Sequence, residues 1–196
     1  MSRLIMGLFI CFVFSCTVPR YNSIAHTSLY DLSLQKGKWF VNYVAIDGKP
    51  WNEFSDYTEN ELKKCLNDSL FKSYGSKNAI YAIPELNSNN YKGYTSLLRV
   101  SKTVDYLIQI SGKIESDNVS ALNINPNPHH SISVVSVTLT AYEVQTDHII
   151  YSETVSGSID LEHNKEDVVF AKSTQSMLKK CLEKALQKFK RNGGCN

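Results

Sequence analysis

Three histidines, His129, His130 and His163, are the residues whose type and spacing suggest a site first. If segments 131–144 and 149–161 pair as a hairpin with residue 144 opposite 149, residue 130 faces 163. The three imidazoles then gather at one end of the sheet, near Glu162 and Asp160. Such a set of nitrogens and carboxylates can hold zinc. His148 falls at the other end, about 45 Å away at roughly 3.3 Å per residue. Loop ends also collect polar residues simply because they are solvated, and that reading is preferred here: no metal and no cofactor are expected. Nucleophilic chemistry has less support. Ser-x-x-Lys occurs at Ser33–Lys36, Ser69–Lys72 and Ser176–Lys179, and Ser116-Asp117-Asn118 matches a second serine-acylation motif, but the third, Lys-Thr-Gly, is absent. Gly-x-Ser-x-Gly is absent too. Carboxylates gather at expected helix starts (Asp56, Glu59 and Glu61; Glu162, Glu166 and Asp167), where the helix dipole favours them.

The residue with the clearest chemical fate is Cys16. Met1-Ser2-Arg3 carries one positive charge, Leu4 to Phe14 is apolar throughout, and Ser15 is small. These are the parts of a secretory signal peptide. Eleven apolar residues fall short of the roughly 20 that span a bilayer as a helix. Val13-Phe14-Ser15-Cys16 looks like the lipobox of bacterial lipoproteins, in which cleavage between Ser15 and Cys16 leaves the cysteine as the lipidated first residue. The expected division is signal peptide 1–15, lipidated N-terminus and tether 16–37, one domain 38–191 and a disordered tail 192–196. A flexible tether of about twenty residues would have an r.m.s. span of roughly 25 Å and a stretched length of about 70 Å.

Losing residues 1–15 removes Arg3 and no acid, so 20 basic residues face 19 acidic ones. This balance argues against nucleic acid as a partner. Beyond Cys16 remain Cys65, Cys181 and Cys195. Cys65 and Cys181 lie in identical Leu-Lys-Lys-Cys-Leu segments, each on the apolar face of an expected helix. They read as small core residues, with a Cys65–Cys181 bridge as the alternative and Cys195 as an unexplained tail thiol.

The elements follow from periodicity. Residues 38–46 read as a strand closed by Asp47-Gly48. Tyr57 to Tyr74 reads as a helix capped by Ser55 or Thr58 and ended by Gly75. A short strand at 79–83 and a short helix at 94–102 follow. Val104 to Ile114 alternates cleanly, with Leu107 the exception. The hairpin 131–144/149–161 has one apolar face and one of Ser, Thr and Asp, as a one-side-solvated antiparallel sheet needs. Asp167–Lys190 reads as a long amphipathic helix. The expected fold is α+β: a mixed, largely antiparallel sheet with a long C-terminal hairpin and helices on its apolar side, in the order β-α-β-(α)-β-β-β-α.

Several of these segments together resemble a superfamily of bacterial envelope lipoproteins. It includes the curli secretion lipoprotein, the penicillin-binding-protein activator lipoproteins and the N-terminal domain of the Tol propeller protein. The segments are Val41-Asn42-Tyr43, Val104 to Ile108 with Gly112, Val137 to Val144, and Ile149 to Glu153 before the last helix. Asp147 stands where that superfamily usually has Gly, and long insertions for a membrane pore are missing. The resemblance implies a non-catalytic, lipid-anchored accessory or assembly module at the outer membrane, facing periplasm or cell surface. Its partner would be another envelope protein or a second copy. Trp51, Tyr91 and Tyr94, in or beside loops, are the candidate contacts. Gly37-Lys38-Trp39 supports a competing reading as a lipocalin-like ligand carrier, and a secreted hydrolase is the third.

Overall fold

The computed structural model describes residues 18–28, 32–72, 104–117, 122–123, 131–146, 148–161, 169–170 and 172–195. The clean alternation of the sequence becomes the centre of one sheet: β5 (Tyr106–Asp117), β7 (Ser131–Glu143) and β8 (His148–Leu161). β7 pairs antiparallel with both β5 and β8. On the far side of β5 lies β2 (Trp39–Ile46), which runs parallel to it. The outer edge of β2 carries two short strands, β3 (Lys49–Pro50) and β4 (Leu70–Lys72). β6 (Leu122–Asn123) and β9 (Val169–Phe170) form a separate small pair. The expected mixed α+β fold is the fold observed: an open seven-stranded sheet with, among the described residues, two helices, α1 (Asn52–Leu66) and α2 (Thr174–Asn192). An open sheet with parallel pairs is not an up-and-down barrel, so the lipocalin reading fails. Trp39 of the Gly-x-Trp triplet is instead core, stacked on Tyr106 and edge-on to Phe189.

The hairpin register differs by one from the expectation. Ser131 faces Leu161 and Ala141 faces Tyr151. Two apolar faces made of odd-numbered residues can meet only when paired numbers sum to an even value. Near the turn a bulge shifts Tyr142 onto Ile149.

Both helices cover one face. Val41, Ile108, Ile110, Val137, Leu139 and Val155 from the sheet pack against Phe54, Leu62 and Leu66 of α1 and Met177 to Phe189 of α2. Leu107, the exception to the β5 alternation, belongs to a smaller cluster with Phe40, Val104, Tyr142 and Val144.

α1 begins earlier and ends earlier than expected. Ser55 is not its cap but sits in its first turn, where its hydroxyl donates to the Trp51 carbonyl and accepts from the Val44 N–H, both at 2.8 Å. Thr58 is buried within the helix. The helix stops at Leu66 because Asn67 turns left-handed (φ 44°), which Asn tolerates better than most residues. Asn67-Asp68-Ser69 then makes one 3-10 turn into β4. α2 starts at Thr174 rather than Asp167: Ser173 caps it by accepting the Ser176 N–H. Phe170 is therefore in a strand, not on the helix stripe. The expected elements at 79–83 and 94–102, and Gly75, lie outside the described residues.

Two further corrections concern the chain ends. Residues 20–28, expected within the tether, form β1 (Arg20–Ser28), paired antiparallel with β8 at the sheet edge. Cys195, expected in a disordered tail, is disulfide-bonded to Cys65, with Cα atoms 5.7 Å apart, inside the usual range. Beside it Gly193 packs so closely on Leu34 that an added Cβ would lie 2.3 Å from that side chain. Cys181 is free and buried, and burial pushes its thiol up to about 12, leaving it protonated and inert at neutral pH.

The bridge closes a loop between residues 130 apart in sequence. In the chain-entropy picture that restricts the unfolded state by about 5 kcal/mol. Replacing both Cys65 and Cys195 with Ser is expected to cost about 3–5 kcal/mol. Urea denaturation with and without reductant checks this: reductant should destabilise the wild type and leave the double variant unchanged.

Candidate functional site

The apolar face of β8 has one anomaly. Tyr151, Val155 and Ile159 point into the core, and so does Glu153, whose side chain is 1% exposed. A lone carboxylate there would cost several kcal/mol. Three donors from two elements meet it. From β1, the Ser23 hydroxyl donates to Oε1 and His26 Nδ1 lies 2.8 Å from Oε2. From α2, Lys188 Nζ donates to Oε1 at 2.7 Å. A carboxylate only accepts, so His26 carries its proton on Nδ1. Burial raises the Glu153 pKa, but the bonds from Lys188, Ser23 and His26 outweigh it, and the group sits below the usual carboxylate range. The carboxylate is ionised at neutral pH.

The sheet geometry brings these groups together. Ser23 lies opposite Val155 and His26 opposite Glu153, and a bulge at Ile24 puts both side chains on the same face. Two residues earlier Tyr21 crosses Gly157, where an added Cβ would meet the Tyr21 ring at 2.9 Å. His26 also meets Tyr151 edge-on, at 5.4 Å between ring centroids.

Serine, histidine, lysine and carboxylate within one cluster suggest a relay, but the bonds run otherwise. Ser23 and His26 both end on Glu153 rather than on each other, unlike a nucleophile–base pair. The cluster works as a clamp joining β1, β8 and α2. A second ionic link ties the helices: Lys190 Nζ donates to Glu61 at 2.6 Å, and Lys64 bonds the same carboxylate. These bonds, Lys190 first, hold Glu61 below the usual carboxylate range.

The other face of the sheet presents hydroxyls: Ser136 and Thr138 from β7, and Ser152, Thr154, Ser156 and Ser158 from β8, most of them half-buried. Thr138 and Thr154 bond each other across the strands at 2.9 Å. Exposed Ile132 and Ile149 mark the two ends of this strip. Toward the Asp47-Gly48 turn the same face forms a polar cleft of about 390 Å³, lined in part by Ser111, Lys113, Ser136 and Thr138.

Of the residues singled out in the sequence, Trp51 stands at the N-cap of α1, partly buried and stacked on Phe54 at 5.3 Å. His148 is the exposed first residue of β8, opposite Glu143. Ser116 donates to the Ile132 carbonyl, and Asp117 accepts from Thr174 at the start of α2, so both serve the fold. Ser15, Cys16, Tyr91, Tyr94, His129, His130 and His163 lie outside the described residues. Sequence reasoning passed over Glu153, Ser23, His26 and Lys188. The signal was present: a Glu in the odd-numbered period between Tyr151 and Val155 needs partners.

The depressed Glu153 pKa sets the sign of a pH effect. Its stabilisation is complete above the ordinary carboxylate value and is lost as pH falls through the lower folded-state value. Glu153→Gln is expected to cost about 2–3 kcal/mol at neutral pH and to flatten the acid side of the stability profile. Thermal denaturation from neutral pH down to about pH 3 reads both effects.

No family model matches the chain, and comparison with curated proteins finds no match. Among solved structures, a PelC dodecamer from Paraburkholderia phytofirmans is similar at 13% identity, with a TM-score of 0.45, covering 91% of this chain and 99% of that one. The C-terminal domain of LpoB from Salmonella enterica is similar at 14% identity and a TM-score of 0.34, covering 66% of this chain and 85% of that one. Lipoprotein GNA1162 from Neisseria meningitidis is similar at 12% identity and a TM-score of 0.36, covering 80% and 99%. None of the three is close enough for its activity or partners to be carried over to this chain.

Proposed function

We propose that this chain is a lipid-anchored lipoprotein of the bacterial outer membrane, acting as a non-catalytic accessory module that binds another envelope protein. The observation that carries the reading is the placement of Cys16 four residues before β1. Four residues reach at most about 14 Å, so the acylated end and the folded domain form one continuous unit. The diacylglycerol and N-acyl chains of such a cysteine would hold it stably, since buried acyl carbons contribute about 0.8 kcal/mol each. The Cys65–Cys195 disulfide fits an oxidising, extracytoplasmic setting. The saturation of Glu153 by Ser23, His26 and Lys188 favours binding over catalysis, because the cluster's polar capacity is spent inside the fold.

The face offered to a partner is the hydroxyl strip with Ile132 and Ile149 at its ends. Apolar anchors within a polar surround are the usual anatomy of a contact patch.

Two measurements test this. Metabolic labelling with palmitate is expected to mark the wild-type chain and not Cys16→Ser, with the variant lost from the membrane fraction. A photo-crosslinking residue placed at Thr154 or Ser156 in intact cells is expected to give a discrete adduct with one envelope protein. Adducts absent at both positions would refute the assigned face.

A further inference from the structure

The near-neutral charge of the chain conceals a segregation. α2 carries Lys179, Lys180, Lys184, Lys188, Lys190 and Arg191 against Glu183 alone, a net of five positive charges. Lys188 and Lys190 turn inward to Glu153 and Glu61. The rest stay outside. Lys179 and Lys180 are exposed; Lys180 shares Glu183 at 2.8 Å, with both side chains open to solvent. Lys179 and Lys184 stand over the rings of Tyr57 and Tyr21, 5.7 and 5.8 Å from their centroids, and Arg191 is exposed. Lys184 over Tyr21 brings this stripe beside Arg20, the first residue of β1.

We infer that the outer face of α2, continued by Arg20, is a docking surface for anionic phospholipid headgroups of the membrane that holds the anchor. Charge complementarity and chain length both point there. Juxtamembrane lysines and arginines gain from an anionic surface only within about a Debye length. The link from Cys16 to Arg20, at most about 14 Å long, keeps the stripe near that range. The placement rests on the lipid-anchor reading of Cys16, whereas the stripe itself does not. The acidic residues of α1 nearest to α2, Glu53 and Glu61, are held by Gln175 and Lys190. Asp56 lies exposed on α1, which leaves the β1 side of α2 as the more positive flank.

The test mixes the purified full chain with vesicles of phosphatidylcholine alone or with about one-third phosphatidylglycerol, and reads lysine acetylation by mass spectrometry. With the anionic lipid, Lys179, Lys180 and Lys184 are expected to react about fivefold or more slowly. Lys49 and Lys113 should keep their rates, and the protection should vanish at about 0.5 M salt. In co-sedimentation, Lys179→Gln/Lys180→Gln/Lys184→Gln is expected to weaken binding about tenfold or more. Lys38→Gln/Lys49→Gln/Lys113→Gln, with the same net charge, should not, and circular dichroism checks that both variants fold. Equal protection of all lysines, or equal loss in both variants, overturns the surface. Intact mass reads acylation of the protein isolated from membranes. An unacylated chain whose α2 is protected refutes the anchor and keeps the surface; an acylated chain without protection does the reverse.

Discussion

The attachment of β1 to the domain depends on one buried carboxylate. Eight of the nine residues of β1 are exposed, and only Tyr21 reaches the core. A strand with so little apolar burial at a sheet edge would fray at low cost. Glu153 changes that balance, because an ion in the core is tolerated only while its donors stay in place. Releasing β1 would strip Ser23 and His26 from the carboxylate and leave Lys188 to compensate it. The desolvation cost of one side chain thereby becomes the force that holds the strand.

This clamp also decides the reach of the N-terminus. With β1 in the sheet, a lipidated Cys16 would stand only four residues ahead of the fold. With β1 detached the segment ahead of the fold would extend to Lys38, and the domain would move over tens of ångströms. In the proposed lipid-anchored form, β1 is the part of the fold next to the anchor. Lys188 completes the link, since it joins the same carboxylate from the helix that carries the basic stripe. The edge strand and the charged helix are joined to β8 by a single set of bonds.

How much of this could be read from the sequence follows from the kind of force involved. The hairpin and the body of α2 were legible because apolar residues recur at strand and helix periods; the start of α2 was not, since Ser173 caps it seven residues after the acidic Glu166. The boundary of α1 was less so, since Asn67 ends it by backbone conformation rather than by a change in hydrophobic pattern. β1 was illegible for two reasons. Its inward residues, Ser23 and His26, are polar and meet a charge, and the bulge at Ile24 breaks the alternation that would reveal a strand. The disulfide was hidden because the matching segments around Cys65 and Cys181 drew attention to the wrong pair. Pairing between distant cysteines is a property of the fold and not of spacing. Glu153 was the accessible clue, since a carboxylate in a strand's apolar period calls for donors from elsewhere.

The two faces of the sheet impose a direction on the molecule. The helices lie on one face and the hydroxyl strip on the other, so a surface that engages α2 cannot also engage the strip. Turning the strip to the membrane would set Ser152, Thr154 and Ser156 against the headgroups and send the lysines of α2 outward, where an anionic bilayer could not stabilise them. Placing α2 toward the membrane uses its charge and leaves the strip, with Ile132 and Ile149, directed away from the lipid. Because β1 joins the edge of the same sheet, the proposed anchor would enter from the side, which is compatible with that orientation. A partner reaching the strip would meet a rigid antiparallel surface whose register is pinned from below by the core and at its edge by Glu153.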